Sequence, residues 1–191
     1  MILLLDNYDS FTYNLAHSIR EITGRQVSIF RNDEIELAEV EAYDTIILSP
    51  GPGIPDEAGI LKPLIEKYYR TKNIFGVCLG YQAINEVLGG KIINLDTVYH
   101  GVATQMNVIH EDSIFHGIPR PFSAGRYHSW VIDPKTLPEE LICTCEDEAG
   151  QVMGISHKEY NLRGVQFHPE SILTPHGDAI IENFLRISTE I

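Results

Sequence analysis

Ile74-Phe-Gly-Val-Cys78-Leu-Gly80-Tyr-Gln82 is the stretch on which the reading of this chain turns. A short apolar run ends in a cysteine that has a glycine two residues away on each side, Gly76 and Gly80, and a segment with helical potential follows at once. That pattern mounts a nucleophile on a sharp strand-to-helix turn, where the glycines permit the tight path and the side chain is pushed out above the sheet. A cysteine there also feels the positive end of the helix, which favours thiolate over thiol. The bland alternative is a buried cysteine acting as a small hydrophobe. The Gly-x-Cys-x-Gly frame at the end of an apolar strand argues against it.

Around this elbow the first ninety or so residues alternate strand and helix patterns. Ile2 to Leu5 is a continuous apolar run of the kind a buried parallel strand uses. Asp9 or Ser10 can cap a helix whose apolar positions Phe11, Leu15, Ile19 and Ile22 share a face, with Gly24 ending it. Val27 to Phe30 and Thr45 to Leu48 read as the next two strands. Ile60, Leu61, Leu64, Ile65 and Tyr68 mark a second amphipathic helix. Ile74 to Val77 is then the strand that delivers Cys78. This alternation predicts an α/β fold, a doubly wound and mostly parallel sheet with right-handed crossovers.

After Gly89-Gly90 the style changes to short β-like runs: Lys91 to Asn94, Thr104 to Ile109, Leu141 to Cys145, Val152 to Ser156 and Arg163 to Phe167. Gly, Pro and Asp turns separate them, which predicts antiparallel additions to the sheet. A last helix is expected over about 176–186. No repeat, low-complexity segment or linker interrupts the chain, so residues 1–191 are read as one domain. At this length a domain buries roughly 70 % of its unfolded surface without staples. The site is expected at the carboxyl ends of the parallel strands.

His168-Pro-Glu170 ends the last of those runs. Residues two apart in extended chain share a face, so the imidazole and the carboxylate can point the same way, and Pro169 stiffens the pair. Glu170 can accept from one imidazole nitrogen and leave the other to take the thiol proton. Cysteine, histidine and acid together read as covalent catalysis on an acyl carbon. The N–H of Leu79, the residue after the nucleophile, would face a developing oxyanion. Ser49-Pro-Gly-Pro-Gly53 follows the third strand at the same sheet edge, where glycine N–H groups can complete an oxyanion hole. Read blandly it is only a rigid turn. It is no phosphate loop, since no Gly-Lys-Ser/Thr follows.

The bulk numbers narrow the partners. Lysine and arginine against aspartate and glutamate leave a formal charge of −13, with no basic run, so nucleic acid and anionic membrane are excluded as expected partners. Hydrophobic content of 43 % and charged content of 21 % suit an ordinary soluble protein. Met1-Ile-Leu-Leu-Leu5 meets Asp6 and Asp9 at once, too short for a signal peptide or a membrane span. Three cysteines suit a reducing compartment, and a cytoplasmic location is expected. His128, in Tyr127-His-Ser-Trp130, is a rival base without an acid nearby in sequence. The other histidines lack ligand spacing, and Cys143-Thr-Cys145 is no metal pair, so no metal site is expected.

Taken together, Gly76-Val-Cys-Leu-Gly80, Ser49-Pro-Gly-Pro-Gly53 and Val165-Gln-Phe-His-Pro-Glu-Ser171 resemble the class I, triad-type glutamine amidotransferases. The resemblance runs from Leu4 to about Leu185. Asp6-Asn-Tyr-Asp-Ser-Phe11, Gly125-Arg-Tyr-His-Ser129 and Ser171 bring it closer to the glutaminase subunits of anthranilate synthase and aminodeoxychorismate synthase. The resemblance implies a flavodoxin-like amidotransferase fold and a triad of Cys78, His168 and Glu170 acting on L-glutamine through a thioester. It implies an oxyanion hole from the N–H groups of Gly53 and Leu79, and glutamine-binding positions at Gly51, Pro52, Gly53, Gln82, Ser129 and Trp130. It also implies a chorismate-utilising synthase partner that receives ammonia and carries magnesium, with no cofactor in this chain.

Three positions depart from that pattern: Tyr81 where many relatives have histidine or glutamine, Trp130 where many have leucine, and Val102 where lysine is common. None belongs to the triad. Three readings stay open at this point. The first is a glutaminase subunit serving the anthranilate or the aminodeoxychorismate reaction, or both. The second is a non-catalytic scaffolding subunit. The third is a flavodoxin-like mononucleotide binder, for which the hydroxyl-rich phosphate loops are missing.

Overall fold

The computed structural model describes residues 1–189, so the last two positions of the expected domain, 190–191, lie outside the described residues. β1 (Ile2–Asp6), β2 (Val27–Arg31), β3 (Thr45–Leu48) and β4 (Asn73–Val77) form where the apolar runs predict them. α1 (Thr12–Thr23), α2 (Leu61–Tyr68) and α3 (Leu79–Val87) connect or follow them. α1 ends at Gly24, whose φ of 64° is left-handed and whose N–H donates to the Arg20 carbonyl at 2.8 Å. Its start differs from expectation. Phe11 occupies the cap, while Asp9 accepts from the Phe11 N–H at 2.8 Å and so shapes the turn ahead of the helix.

The second half adds β5 (Ile92–Val108), β6 (Phe122–Ile132), β7 (Leu141–Asp147), β8 (Val152–His157), β9 (Leu162–Val165) and α4 (Gly177–Ile187). Among the described residues, nine strands join one sheet in the order β2-β1-β3-β4-β9-β8-β7-β5-β6. β2, β1, β3, β4 and β9 run parallel, and the remaining pairings are antiparallel. The first five strands thus have the flavodoxin-like order, which reverses between β1 and β3.

Three details correct the sequence reading. The run expected over Arg163 to Phe167 is not an antiparallel addition on both sides: β9 pairs parallel with β4 and antiparallel with β8, so it is the joint between the two halves. The two runs at 91–94 and 104–109 belong to one long strand, β5, whose pairing with β6 shifts register between Asn94 and Tyr99 and again between His100 and Val102. Extra residues at such bulges break the period-2 alternation that pattern reading needs. β6 was not expected as a strand, because it buries Arg126 and His128 and so lacks a clean apolar face.

β1 explains how the sheet is held. Ile2 and Leu4 pack into one apolar core with α1 and α4, while Leu3 and Leu5 pack into the other with α2 and α3. Both faces of the parallel strands are therefore covered, which is why their sequences read as unbroken apolar runs.

Candidate active site

Cys78 stands between β4 and α3 with φ of 53° and ψ of −101°, a left-handed backbone for a residue that has a Cβ. Such a conformation costs of order 1–3 kcal/mol and persists only where the surroundings fix it. Here they do. The Cys78 N–H donates to the Val165 carbonyl of β9 at 2.9 Å, and its own carbonyl accepts from Gln82 N–H at 3.0 Å. A side chain at Gly80 would put its Cβ 2.6 Å from Leu48 Cβ and 2.7 Å from the Leu48 carbonyl. The helix can approach β3 this closely only with glycine at that position.

His168 and Glu170 follow β9, the strand next to β4. They do not share an extended face as expected from alternation. The strand ends at Val165, and the pair sits in a turn closed by the Ser171 N–H on the His168 carbonyl at 3.2 Å. His168 Nδ1 lies 2.6 Å from Glu170 Oε1, with both side chains nearly or fully buried. Burial disfavours the imidazolium, but the Cys78 sulfur and the Glu170 carboxylate outweigh it and raise the His168 pKa to about 10. His168 Nε2 has no hydrogen-bond partner within ordinary geometric limits, so its approach to the Cys78 sulfur is looser than the bond to Glu170. The arrangement suits an imidazolium beside the cysteine, with Nδ1–H given to the carboxylate.

The 49–53 turn is tied to the loop after β1 at the switch point of the sheet. Asn7 N–H donates to Ser49 Oγ and Asn7 Nδ2 to the Ser49 carbonyl, each at 2.8 Å, and Asn32 Nδ2 donates to Asn7 Oδ1 at 3.0 Å. A Cβ on Gly51 would lie 2.5 Å from the Asn7 carbonyl, so the turn packs directly on that loop. Gly53 holds φ of 74°. Leu79 opens α3, and the first N–H groups of a helix have no intrahelical acceptor. The N–H of Leu79, next to Cys78, is therefore free of an intrahelical acceptor and available to an oxyanion.

A cleft of about 290 Å³ opens over the sulfur, lined by Gly51, Pro52, Gly53, Cys78, Gln82, Ser129 and Trp130 from the sequence-derived set. Leu79, His168 and Glu170 do not line it. His128, expected only as a rival base, also lines it, as do Val98, Tyr99, His100 and Tyr127, which were not expected. They come from the β5–β6 ribbon, whose strands were only half legible. A larger cleft of about 740 Å³ lies at the amino ends of the parallel strands, bordered by Met1, Thr45 and Asn73. It contains none of the nucleophile, base or donor groups, so its size decides nothing about chemistry. Among the described residues no cluster of three or more His, Cys, Asp and Glu is arranged to hold a metal ion.

His128, the rival base, is occupied elsewhere. Arg126 Nε donates to His128 Nε2 at 3.1 Å, and His128 Nδ1 lies 3.0 Å from the Trp130 carbonyl. A guanidinium only donates and a carbonyl only accepts, so His128 is neutral with its proton on Nδ1. Burial and the Arg126 charge push its pKa down to about 3. Arg126 itself is fully buried, paired with Asp147 at 2.8 Å and covered by the Tyr99 ring at 3.6 Å.

The three unusual positions have distinct settings. Tyr81 is fully buried and donates to the Val152 carbonyl at 2.7 Å, pinning α3 to β8. Trp130 lends its carbonyl to Gln82 Nε2 at 2.9 Å as well as to His128. Val102 is exposed on β5, opposite Arg126 in the ribbon.

Comparison with known proteins matches residues 3–187 to the family model for class-I glutamine amidotransferases. The aminodeoxychorismate synthase component 2 of Klebsiella aerogenes is 46 % identical over 97 % of this chain and 99 % of that protein. The anthranilate synthase component 2 of Azospirillum brasilense is 44 % identical over 100 % of this chain and 98 % of that protein. The bifunctional protein TrpGD of Thermotoga maritima is 43 % identical over 97 % of this chain, which spans only 32 % of its length. Among solved structures, a candidate GMP synthase component from Thermoplasma acidophilum superposes with a TM-score of 0.88 at 28 % identity, covering 99 % of this chain and 94 % of that one.

Proposed function

We propose that this chain, which belongs to the class-I glutamine amidotransferases, is the glutaminase subunit of a chorismate-aminating synthase and works through Cys78, His168 and Glu170. The Cys78 thiolate attacks the side-chain amide carbon of L-glutamine, and the carbonyl oxygen takes up the negative charge between the N–H groups of Leu79 and Gly53. His168 gives its proton to the departing nitrogen, so ammonia leaves and a γ-glutamyl thioester remains. His168 then takes a proton from water as that water attacks the thioester, and glutamate is released with the sulfur restored. Glu170 holds the imidazole in register throughout. Gly51, Pro52, Gln82, Ser129 and Trp130 form the wall against which the amino-acid end of glutamine is held.

One observation carries this reading: a cysteine at φ of 53° between β4 and α3, with a buried His–Glu pair delivered by the adjacent strand β9. These groups need no cofactor, and magnesium is assigned to the partner that binds chorismate. Anthranilate is the product favoured here. Names of similar proteins support aminodeoxychorismate as the second reading, with one subunit serving both as a variant of it. The reducing cytoplasm is the setting in which three free cysteines persist.

The test uses the chain together with each candidate synthase. With chorismate and glutamine, the aminated product names the partner. Cys78→Ser is expected to abolish glutamine hydrolysis while ammonia-driven synthesis by the complex continues. Persisting glutamine turnover in that variant overturns the nucleophile. Absence of glutamine turnover in the parent complex would restore the scaffolding reading, which an intact Cys78, His168 and Glu170 argue against.

A further inference from the structure

Gln166 lies between β9 and His168 and is fully buried, yet it is absent from the cleft lining. Its side-chain nitrogen stands 3.4 Å from Cys78 Sγ, and its side-chain oxygen accepts from Gln82 Nε2 at 3.0 Å. The two ends of an amide are chemically opposite, so which end faces the sulfur decides what Gln166 does.

Its neighbours settle the orientation. The Trp130 carbonyl can only accept, so the Gln82 amide must turn its nitrogen toward it, at 2.9 Å. The second N–H on that nitrogen meets Gln166, which must then present its oxygen. What remains for the sulfur is the N–H₂ end. The Trp130 carbonyl is itself fixed from the other side by His128 Nδ1–H, whose tautomer is set by Arg126, and Arg126 is anchored on Asp147. A connected run of hydrogen bonds thus leads from Asp147 to the nucleophile, with the Trp130 carbonyl accepting from both sides and Gln82 donating to both of its neighbours.

We propose that Gln166 is a further catalytic residue of this site, donating an amide N–H to Cys78 Sγ so that the sulfur is held as a thiolate and aimed into the cleft. The proposal rests on Cys78 as nucleophile. Gln82 acts through Gln166 as a positioning residue, since both its N–H groups are spent on Trp130 and Gln166 and only its side-chain oxygen remains for glutamine. Removing the donor from the sulfur leaves a buried thiolate short of one hydrogen bond, and a bond to a charged acceptor is among the stronger kinds.

The test reads the sulfur directly. Iodoacetamide alkylation of Cys78, followed by peptide mass across pH, gives the midpoint for thiolate formation without requiring turnover. Burial pushes the Cys143 thiol up to about 11 and the Cys145 thiol higher still, so both stay protonated in the range used. Gln166→Met keeps the length and loses the donor. Its midpoint is expected to rise by about one pH unit, roughly tenfold in the thiolate–thiol ratio. kcat for glutamine should fall by about the same factor, with KM within about twofold because Gln166 does not line the cleft. A midpoint unchanged from the parent overturns the proposal even if kcat falls, since that pattern belongs to a structural role. Should Gln166→Met fail to fold, Gln166→Glu keeps the bond from Gln82 but sets a carboxylate beside the sulfur. A larger rise is then expected, and no rise overturns the proposal. Glutamine turnover surviving Cys78→Ser would remove the nucleophile reading, an outcome distinct from either midpoint.

Discussion

Phe11 sets its ring edge-on against the His168 imidazole, with centroids 5.6 Å apart and planes at 77°. Tyr127 completes the group, 4.8 Å from His168 and 5.1 Å from Phe11. The loop after β1 therefore touches the base through Phe11 and the 49–53 turn through Asn7. Its outer side offers Tyr8, exposed and reachable by a partner. Seating a synthase subunit there can press on both halves of the catalytic machinery at once. The isolated chain is expected to hydrolyse glutamine slowly, and the partner to raise kcat. Phe11→Ala should leave basal turnover within about tenfold of the parent while removing most of that stimulation. Steady-state kinetics with and without partner check it; equal kcat values in the parent would sink the idea of partner-driven activation.

Charge on the same loop gives a separate test. Burial raises the Asp9 carboxyl above the ordinary carboxylate range, and the charges of His168 and Glu170 both reach it. Asp9→Lys is expected to weaken partner binding by about tenfold, measured by titration calorimetry. Undiminished affinity would place the docking face elsewhere.

The His168 pKa fixes a pH window. A histidine whose folded pKa is raised from 6.5 to about 10 contributes stability in full below pH 6.5, and that contribution is lost as pH climbs through 10. Glu170→Gln removes one of the groups that raise it. The variant should be less stable than the parent by about 1–3 kcal/mol near pH 6.5, with the gap closing toward pH 10. Urea titrations at several pH values measure it, and a gap that widens with pH would contradict the assignment.

His128 has the opposite sign. Its folded pKa is lowered from 6.5 to about 3, so the unfolded chain binds the proton first as pH falls. Stability is expected to decline by about 1.4 kcal/mol per pH unit from this group across the window between those values. Nitrogen NMR should find His128 neutral with its proton on Nδ1 at pH 5. A protonated ring there would undo the tautomer and the bond that His128 Nε2 accepts from Arg126.

Gly177 supports the triad from outside the cleft. A Cβ at this first position of α4 would fall 1.7 Å from the carbonyl oxygen of Pro169, the residue between His168 and Glu170. Gly177→Ala must displace that turn. An overpacked site of this kind costs about 1–3 kcal/mol, and kcat should drop by about a hundredfold with a folded protein remaining. Activity near the parental level would show that the turn can move without disturbing the base.

Much of this was legible before any coordinates. Unbroken apolar runs revealed β1 to β4 because strands covered on both faces have no polar side to confuse the pattern. Cys78, His168 and Glu170 stood out because each lies at a punctuated strand end. β6 did not, since its inner positions Arg126 and His128 are polar residues whose burial depends on partners far away in sequence, Asp147 among them. The parallel pairing of β9 was equally hidden, for hydropathy along a strand says nothing about the direction of its neighbour. Gln166 was in view inside Val165-Gln-Phe-His168, but only the placement of Gln82 and Trp130 beside it gives its amide an orientation.

The bond from the Cys78 N–H to the Val165 carbonyl has a consequence for control. The proposed nucleophile follows β4 and the proposed base follows β9, neighbouring strands in the interior of the sheet, joined by a hydrogen bond at the cysteine itself. Cys78 cannot leave β9 without breaking that pairing, while His168 follows in a turn whose place depends on Gly177. Control of such a site falls to what surrounds the cysteine: the 49–53 turn, the turn that carries His168, the aromatic collar of Phe11 and Tyr127, and the ribbon that roofs the cleft. The sheet fixes the seat of the cysteine, and what can shift is the ring of turns and side chains around it.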